Sequence, residues 1–473
     1  MSAWLSRKVS SLNLQELNEF DGSQEQKQAL KELGKEFEIT TDKLRSIVKQ
    51  FTFEMQKGLE RHGAKVAMIP SFVTGKPTGM ESGTYLAIDL GGTNLRVCKV
   101  DLLGNGKVEI QQQKYIVPEA MKVGEMRQLC DFIADSVDMF LTEIDTDSYS
   151  ETLQLGFTFS FPVNLRTINR GNLMQWTKGY CCTGAIGKDP GLMLQDSFRR
   201  KNMKVNVAAI VNDTVGTLMA HAYRDPTTFM GIIFGTGTNA AYFEKMDNIT
   251  KWEDDITSDE MVVNMEWGAF DEERRVLPMT IYDNRLDRES INPGTHIYEK
   301  MISGMYLGEI VRNMTLGLVD QLLLFNGKSS PELNKKWSFE TSHMSAIEID
   351  TSSDLADTQY VLETVLGIPS TTLLDREMVK TLCRLVGIRA ARLSAAGVAA
   401  VMTHCNLLPQ DACTAAVDGS VFEFYPHFSH NMMKALKELF GEDVEQKIKF
   451  SQSHDGSGLG AAVIAMQVSK GNS

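Results

Sequence analysis

The segment Leu86-Ala-Ile-Asp-Leu-Gly-Gly-Thr-Asn-Leu-Arg96 runs an apolar strand into one carboxylate, then a Gly-Gly-Thr-Asn turn, then a second alternating strand. Two adjacent glycines, Gly91 and Gly92, let the backbone approach an anion closely and turn its N–H groups toward it. Asp89, at the mouth of the strand, is placed to hold a metal ion beside a phosphate, and Thr93, Asn94 and Arg96 add polar groups. A bare Gly-Gly pair would be a ligand-free hairpin turn. The Asp before it and the Thr-Asn after it favour a bound phosphate.

A similar turn recurs at Gly235-Thr236-Gly237-Thr238-Asn239, again between two strand-like runs. It also fits the G-x-G-x-x-A dinucleotide fingerprint, with acidic residues near 253–255. That fingerprint must open a helix, whereas Ala240 to Lys245 alternates like a strand, so a dehydrogenase is the weaker reading. Two phosphate turns in one chain suggest two related lobes with a nucleotide between them. No GxxxxGK[ST] element is present, which excludes a P-loop.

Asn212-Asp213-Thr214 lies between an apolar strand and a helix. Its carboxylate would serve as a helix cap or, at a strand's carboxyl end in an α/β crevice, accept a proton from an incoming hydroxyl. Ser160, Thr177, Lys178, Glu266 and Glu299 are ordinary singly. Together these hydrogen-bonding groups suit a polyhydroxyl ligand, and a site built to pair hydroxyls rejects analogues that lack them. Gly419-Ser420 and Gly456-Ser-Gly458 end strands at glycine turns that would close over an adenosine. Lys114 is a candidate phosphate ligand, although an isolated Lys is usually a solvated charge. The histidines show no metal-ligand spacing, so no zinc site is expected.

These groups need a scaffold. At 473 residues the chain is too long for one ordinary core, and two domains or one bilobal unit follow. Its net charge of −13 argues against a nucleic-acid or anionic-membrane footprint. Seven cysteines without a CxxC pair favour a reducing compartment, and the N-terminus lacks a secretory apolar core. Residues 387–404 are apolar but carry Arg389 and Arg392, too polar a stretch to span a bilayer. A cytoplasmic protein is expected.

Thr41-Asp42 should cap a helix with Leu44, Ile47, Val48, Phe51, Met55 and Leu59 on its apolar face. Residues 69–83, rich in Pro and Gly, read as a hinge-like connector, and residues 253–260 as a solvated acidic loop. Strands are expected at residues 85–90, 95–102, 108–117, 153–161, 205–211, 231–235, 240–245, 412–418 and 448–452, with helices between them. That alternation indicates an α/β protein.

Taken in order, the motifs resemble the hexokinase family, most closely its fungal-type glucokinases and hexokinases, over roughly residues 30 to 465. The resemblance implies an actin-like ATPase (ribonuclease H-like) fold, two lobes closing on sugar and ATP–Mg²⁺. It implies a large lobe of residues 1–76 with 213–457 and a small lobe of residues 77–212 with 458–473. By the same resemblance Asp213 is the base for the sugar 6-hydroxyl, and Ser160, Thr177, Lys178, Asn212, Asn239, Glu266 and Glu299 bind the sugar. Asp89, Gly91, Gly92, Thr93, Asn94, Lys114, Thr236, Gly237, Gly419 and Ser420 bind ATP, with Asp89 associated with Mg²⁺. The substrates implied are glucose and ATP, with mannose and fructose as further acceptors, in a monomer or homodimer. Thr295-His296 stands where many members carry Gln-Gln, which leaves fructose acceptance open. A non-catalytic sugar sensor on the same fold is the alternative; an intact Asp213 and two phosphate turns speak against it.

Overall fold

The computed structural model describes residues 21–144, 151–176, 179–253, 258–408, 412–453 and 456–471. The strands are β1 (Ile69–Thr74), β2 (Ser82–Leu90), β3 (Asn94–Gly104), β4 (Lys107–Ile116), β5 (Leu153–Phe159), β6 (Val163–Thr167), β7 (Arg170–Leu173) and β8 (Val205–Val211). After them come β9 (Thr228–Phe234), β10 (Thr238–Lys245), β11 (Glu260–Asn264), β12 (Cys413–Asp418) and β13 (Ile448–Gln452). The helices that position the site are α1 (Thr41–Glu60), α2 (Met126–Glu143), α3 (Pro190–Arg200), α4 (Asp213–Arg224), α5 (Ile297–Ile302), α6 (Leu373–His404) and α7 (Gly456–Gly471).

One sheet runs β4-β3-β2-β5-β8 and the other β1-β11-β10-β9-β12-β13, with β6 and β7 forming a separate ribbon. Apart from the edge strand β1, the two sheets share one plan. In each, the first three strands form an antiparallel meander and the last two join in parallel on the far side of the first strand. The two glycine turns occupy equivalent places, between β2 and β3 and between β9 and β10. The repetition legible in two short motifs is therefore a repetition of whole sheets.

Hydrophobic patterning explains the layers. β8 is buried at all but one position, as a strand covered on both faces must be, whereas the edge strand β4 alternates partly buried and exposed residues. One face of the first sheet packs Leu86, Ile88, Leu155 and Phe157 against Ile133, Val137 and Phe140 of α2 and Leu194 and Phe198 of α3. On α1 all six apolar positions expected from the 3.6-residue period are buried, and Phe51 stacks on Phe270 with ring centroids 4.1 Å apart. The N-cap is Thr40, whose side chain accepts from the Lys43 N–H, so the cap lies one residue before the expected Thr41 and the helix begins at Thr41.

The last helix of each half covers the other half's sheet. α4 follows β8 of the first sheet but lies on β9 of the second, where a Cβ on Gly231 would come 2.5 Å from the Leu218 nitrogen. α7 follows β13 of the second sheet but lies on β5 of the first, where a Cβ on Gly156 would come 2.1 Å from the Ala461 carbonyl oxygen. The two helices touch where they cross, since a Cβ on Gly460 would meet the Gly216 carbonyl oxygen at 1.9 Å.

Three expectations change. Residues 69–74 are not connector but the edge strand β1, paired antiparallel with β11. Pro70 is tolerated because an edge strand has one unpaired side, and the register slips between Pro70 and Thr74. Glu260 opens β11 rather than lying in a solvated loop, while residues 254–257 lie outside the described residues. Helix α6 extends back to Leu373 and meets the length and hydropathy of a membrane span, yet 94% of its most apolar window is buried inside the protein. Its Arg389 is fully buried and makes a two-pronged pair with Asp283, 2.7 Å at each contact, which offsets the desolvation of both charges. All seven cysteines are free thiols.

Candidate active site

The register of the first sheet gathers the chemistry at the carboxyl ends of its parallel strands. Asp89 on β2 stands opposite Thr158 on β5, and Thr158 stands opposite Val211 on β8. Ser160 and Asn212-Asp213 follow at that same edge, where open α/β sheets bind ligands. Asp89 Oδ2 accepts from Ser457 Oγ at 2.7 Å, and Thr158 donates to the Ser457 carbonyl at 3.1 Å. The N-terminus of α7 therefore fixes the Asp89 carboxylate.

The first turn closes by a hydrogen bond from Gly91 N–H to the Asn94 carbonyl, 2.9 Å, and the Tyr180 hydroxyl donates to the Gly91 carbonyl at 3.0 Å. Gly91 and Gly92 are half-buried, Thr93 and Asn94 exposed. Across the sheet, Arg96 pairs directly with Asp89, and Lys114 directly with Arg96. Directly paired residues point to one face, so a carboxylate and two cations line a single row beside the turn.

Asp213 is the first residue of α4, after the N-cap Asn212. The Asn212 side chain is engaged in that cap, accepting from the Thr214 N–H at 2.9 Å and its hydroxyl at 2.5 Å. Asp213 lies close enough to Glu266 for its charge to act on that carboxyl. Glu266, held in the left-handed conformation at φ 53°, accepts from Asn239 at 3.1 Å and from Asn264 at 2.8 Å. Desolvation is the main force raising its carboxyl above the usual range; the Asn264 amide opposes it, and the charges of Asp213 and Glu299 add to it. Glu299 Oε2 accepts from the Thr238 N–H at 3.0 Å, and a Cβ on Gly237 would crowd that oxygen at 2.7 Å. Below the site, Trp267 donates its indole N–H to Thr238 Oγ1 at 3.0 Å.

The second turn is pinned to the segment after α5. Gly304 and Met305 donate their N–H groups to the carbonyls of Gly235 and Thr236 at 2.8 and 3.1 Å. Thr236 is exposed and Gly237 half-buried at its tip. Gly419, at φ 117°, abuts the same strand end, where a Cβ would lie 2.4 Å from the Phe234 carbonyl oxygen. The pairing of Asp418 with Ile233 thus brings Gly419 and the exposed Ser420 beside the turn.

Asp213, Asn239, Glu266 and Glu299 are joined by hydrogen bonding or direct electrostatic coupling. Among the described residues no hydrogen bond or ion pair ties Ser160, Lys114 or Ser420 to that group. Thr177 and Lys178 lie outside the described residues. Sequence reasoning passed over Asn264, which bridges Asn239 and Glu266, and Ser457, which holds Asp89. Ser457 belongs to the Gly456-Ser-Gly458 turn and Asn264 stands two residues before Glu266, but their polar side chains signalled no partner.

A family description reading "Hexokinase" matches residues 29–223, and a second with the same description matches residues 229–467. The chain is 42% identical over 447 residues to "Hexokinase-1" of Schizosaccharomyces pombe, covering 93% of this chain and 91% of that protein. It is 40% identical over 476 residues to "Glucokinase" of Aspergillus niger, covering 93% and 96%. Among solved structures, the hexokinase of Schistosoma mansoni complexed with glucose superposes with a TM-score of 0.83 at 35% identity. The superposition covers 93% of this chain and 99% of that one.

Proposed function

We infer, since this chain belongs to the hexokinase family and phosphorylates a hexose with ATP, that its acceptor is the 6-hydroxyl of glucose and that Asp213 takes the proton. The observation that carries this reading is the junction of the Asp213 carboxylate with Glu266, Glu299 and Asn239, brought together from α4, β10, the turn after β11 and α5. As the sugar oxygen attacks the γ-phosphorus of ATP, its proton passes to Asp213 and the bond to the β–γ bridging oxygen breaks. Hexose 6-phosphate and ADP result. Such a base contributes ~10²–10⁴ in rate.

Glu266, Glu299, Asn239 and Asn212, with Ser160, Thr177 and Lys178, bind the sugar hydroxyls. The backbones of Gly91, Gly92, Thr93 and Asn94 and of Thr236 and Gly237 cradle the phosphates. Lys114 contributes charge, and Gly419 and Ser420 border the adenosine. A single carboxylate, Asp89, oriented by Ser457 beside the glycine turn, fits Mg²⁺, which takes one or two carboxylates and keeps phosphate and water for the rest. Asp89 would hold it, and the ion would supply charge neutralisation at the phosphates.

The exchange of α4 and α7 supports a large lobe of residues 1–76 with 213–457 and a small lobe of residues 77–212 with 458–473. Closure of these lobes excludes water, the smaller rival nucleophile, until sugar is bound. We place the enzyme in the cytoplasm without membrane insertion, a reading supported by the free thiols and the burial of α6, and take it as a monomer or homodimer from the family resemblance. A coupled assay for ADP with glucose, mannose and fructose tests the function. Turnover on glucose is expected; ATP consumption that no hexose stimulates rejects the reading.

A further inference from the structure

His296 occupies an unusual position for an imidazole. Its backbone is left-handed at φ 53°, and its N–H donates to Glu272 Oε1 at 2.9 Å. Glu272 Oε2 is paired in turn with Lys65 at 2.8 Å, so the backbone of His296 is anchored through a charged chain. The anchored ring places Nδ1 3.4 Å from Glu299 Oε1, while the other oxygen of Glu299 is held by the Thr238 N–H. Gly268 makes room for this pairing: a Cβ there would come 3.3 Å from His296 Nδ1 and 3.2 Å from Glu299 Cβ.

The groups facing the ring are carboxyl groups from three elements. Glu299 lies on its own helix α5, Glu266 on the turn after β11, and Glu272 beyond that turn, with Asp213 of α4 acting on Glu266. Such a cluster disperses or takes up protons unless a cation sits within it. We propose that His296 is a positioning residue whose protonated ring fixes Glu299 for the sugar and so makes glucose affinity pH-dependent. This rests on the assignment of Glu299 to the sugar site.

Hydrogen bonding to Glu299 is the main force raising the His296 pKa above the ordinary imidazole value; desolvation opposes it, and the charges of Glu299, Glu266 and Glu272 reinforce it. The sign follows directly. Below the raised value the ring is an imidazolium and Glu299 is fixed; as pH rises through that value the charge is lost and the sugar is held less well.

The test is calorimetric titration of glucose into the full chain, without ATP, from roughly pH 6 to 9, spanning the ordinary and raised imidazole range. The wild-type Kd should rise several-fold across it. His296→Ala should weaken glucose binding about five- to tenfold at the acid end, the size of one weakened charge-assisted contact. His296→Gln, which keeps a neutral donor, should recover most of that loss but give a flat Kd–pH curve. A Kd in His296→Ala equal to wild type overturns the proposal, as does one Kd–pH curve shared by wild type and His296→Gln. Glu299→Ala separates the two readings. If it binds glucose normally, the assignment of the sugar site itself fails; if it loses binding while His296→Ala does not, only the role of His296 fails.

Discussion

Replacing Asp213 with Asn removes one charge and preserves the shape of the side chain, so fold and chemistry can be separated. The cap of α4 is made by Asn212, which keeps both its bonds to Thr214; Asp213 Oδ1 adds a contact to the same N–H at 2.9 Å, which an amide oxygen can replace. The fold loses mainly a negative charge in the first turn of a helix, about 0.3–1 kcal/mol. Glu266 loses one of the charges that raise its pKa, which leaves a less crowded sugar pocket. The reaction loses its proton acceptor, a cost of ~10²–10⁴ in kcat or roughly 3–5 kcal/mol of barrier. The kinetic penalty should therefore exceed the stability penalty several-fold. A coupled assay reads kcat, glucose calorimetry reads Kd, and scanning calorimetry reads stability. We expect kcat to collapse while the glucose Kd stays within about threefold of wild type, well under the 1.4 kcal/mol that a tenfold change represents. A folded variant that keeps kcat within about tenfold of wild type would refute the argument, since such a base typically contributes ~10²–10⁴ in rate.

Gly460→Ala places a methyl group 1.9 Å from the Gly216 carbonyl, so α4 and α7 must move apart. A loss of at least about 1–3 kcal/mol is expected from such overpacking, and an unchanged melting temperature would contradict the close crossing. The buried Glu244 predicts acid sensitivity. Burial pulls its pKa upward, but hydrogen bonds from His404, Tyr242 and Asn248 outweigh it and hold the carboxyl below the usual range. Its stabilisation is complete above about pH 4.3, the ordinary glutamate value, and is lost as pH falls through the lower folded value. His404→Gln should move the acid-unfolding midpoint to higher pH; an unchanged midpoint would sink this reading.

The sequence made the strands and the glycine turns legible because both depend on local rules, alternation of apolar residues and the need for a backbone without Cβ. Asp213 was legible for the same reason, as a carboxylate between a strand and a helix. β1 was hidden because Pro70 and Gly75 read as breakers, and only the unpaired outer side of an edge strand makes Pro70 harmless. The left-handed backbones of Glu266 and His296 were not foreseeable, since only a few per cent of non-glycine residues adopt that conformation and no local motif marks these two. Nor was the reach of Glu299 across to the Thr238 N–H, a contact spanning 61 positions of sequence.

The crossing of α4 and α7 makes the halves of this chain interdependent. A break between Arg224 and Thr228 would give two fragments, each carrying the lid of its neighbour and leaving its own sheet with one bare apolar flank. Neither fragment would be self-sufficient in water; each would need the other to become a finished body. A pair of look-alike modules has in this way become a single indivisible machine, welded by two glycines that let its helices pass backbone to backbone.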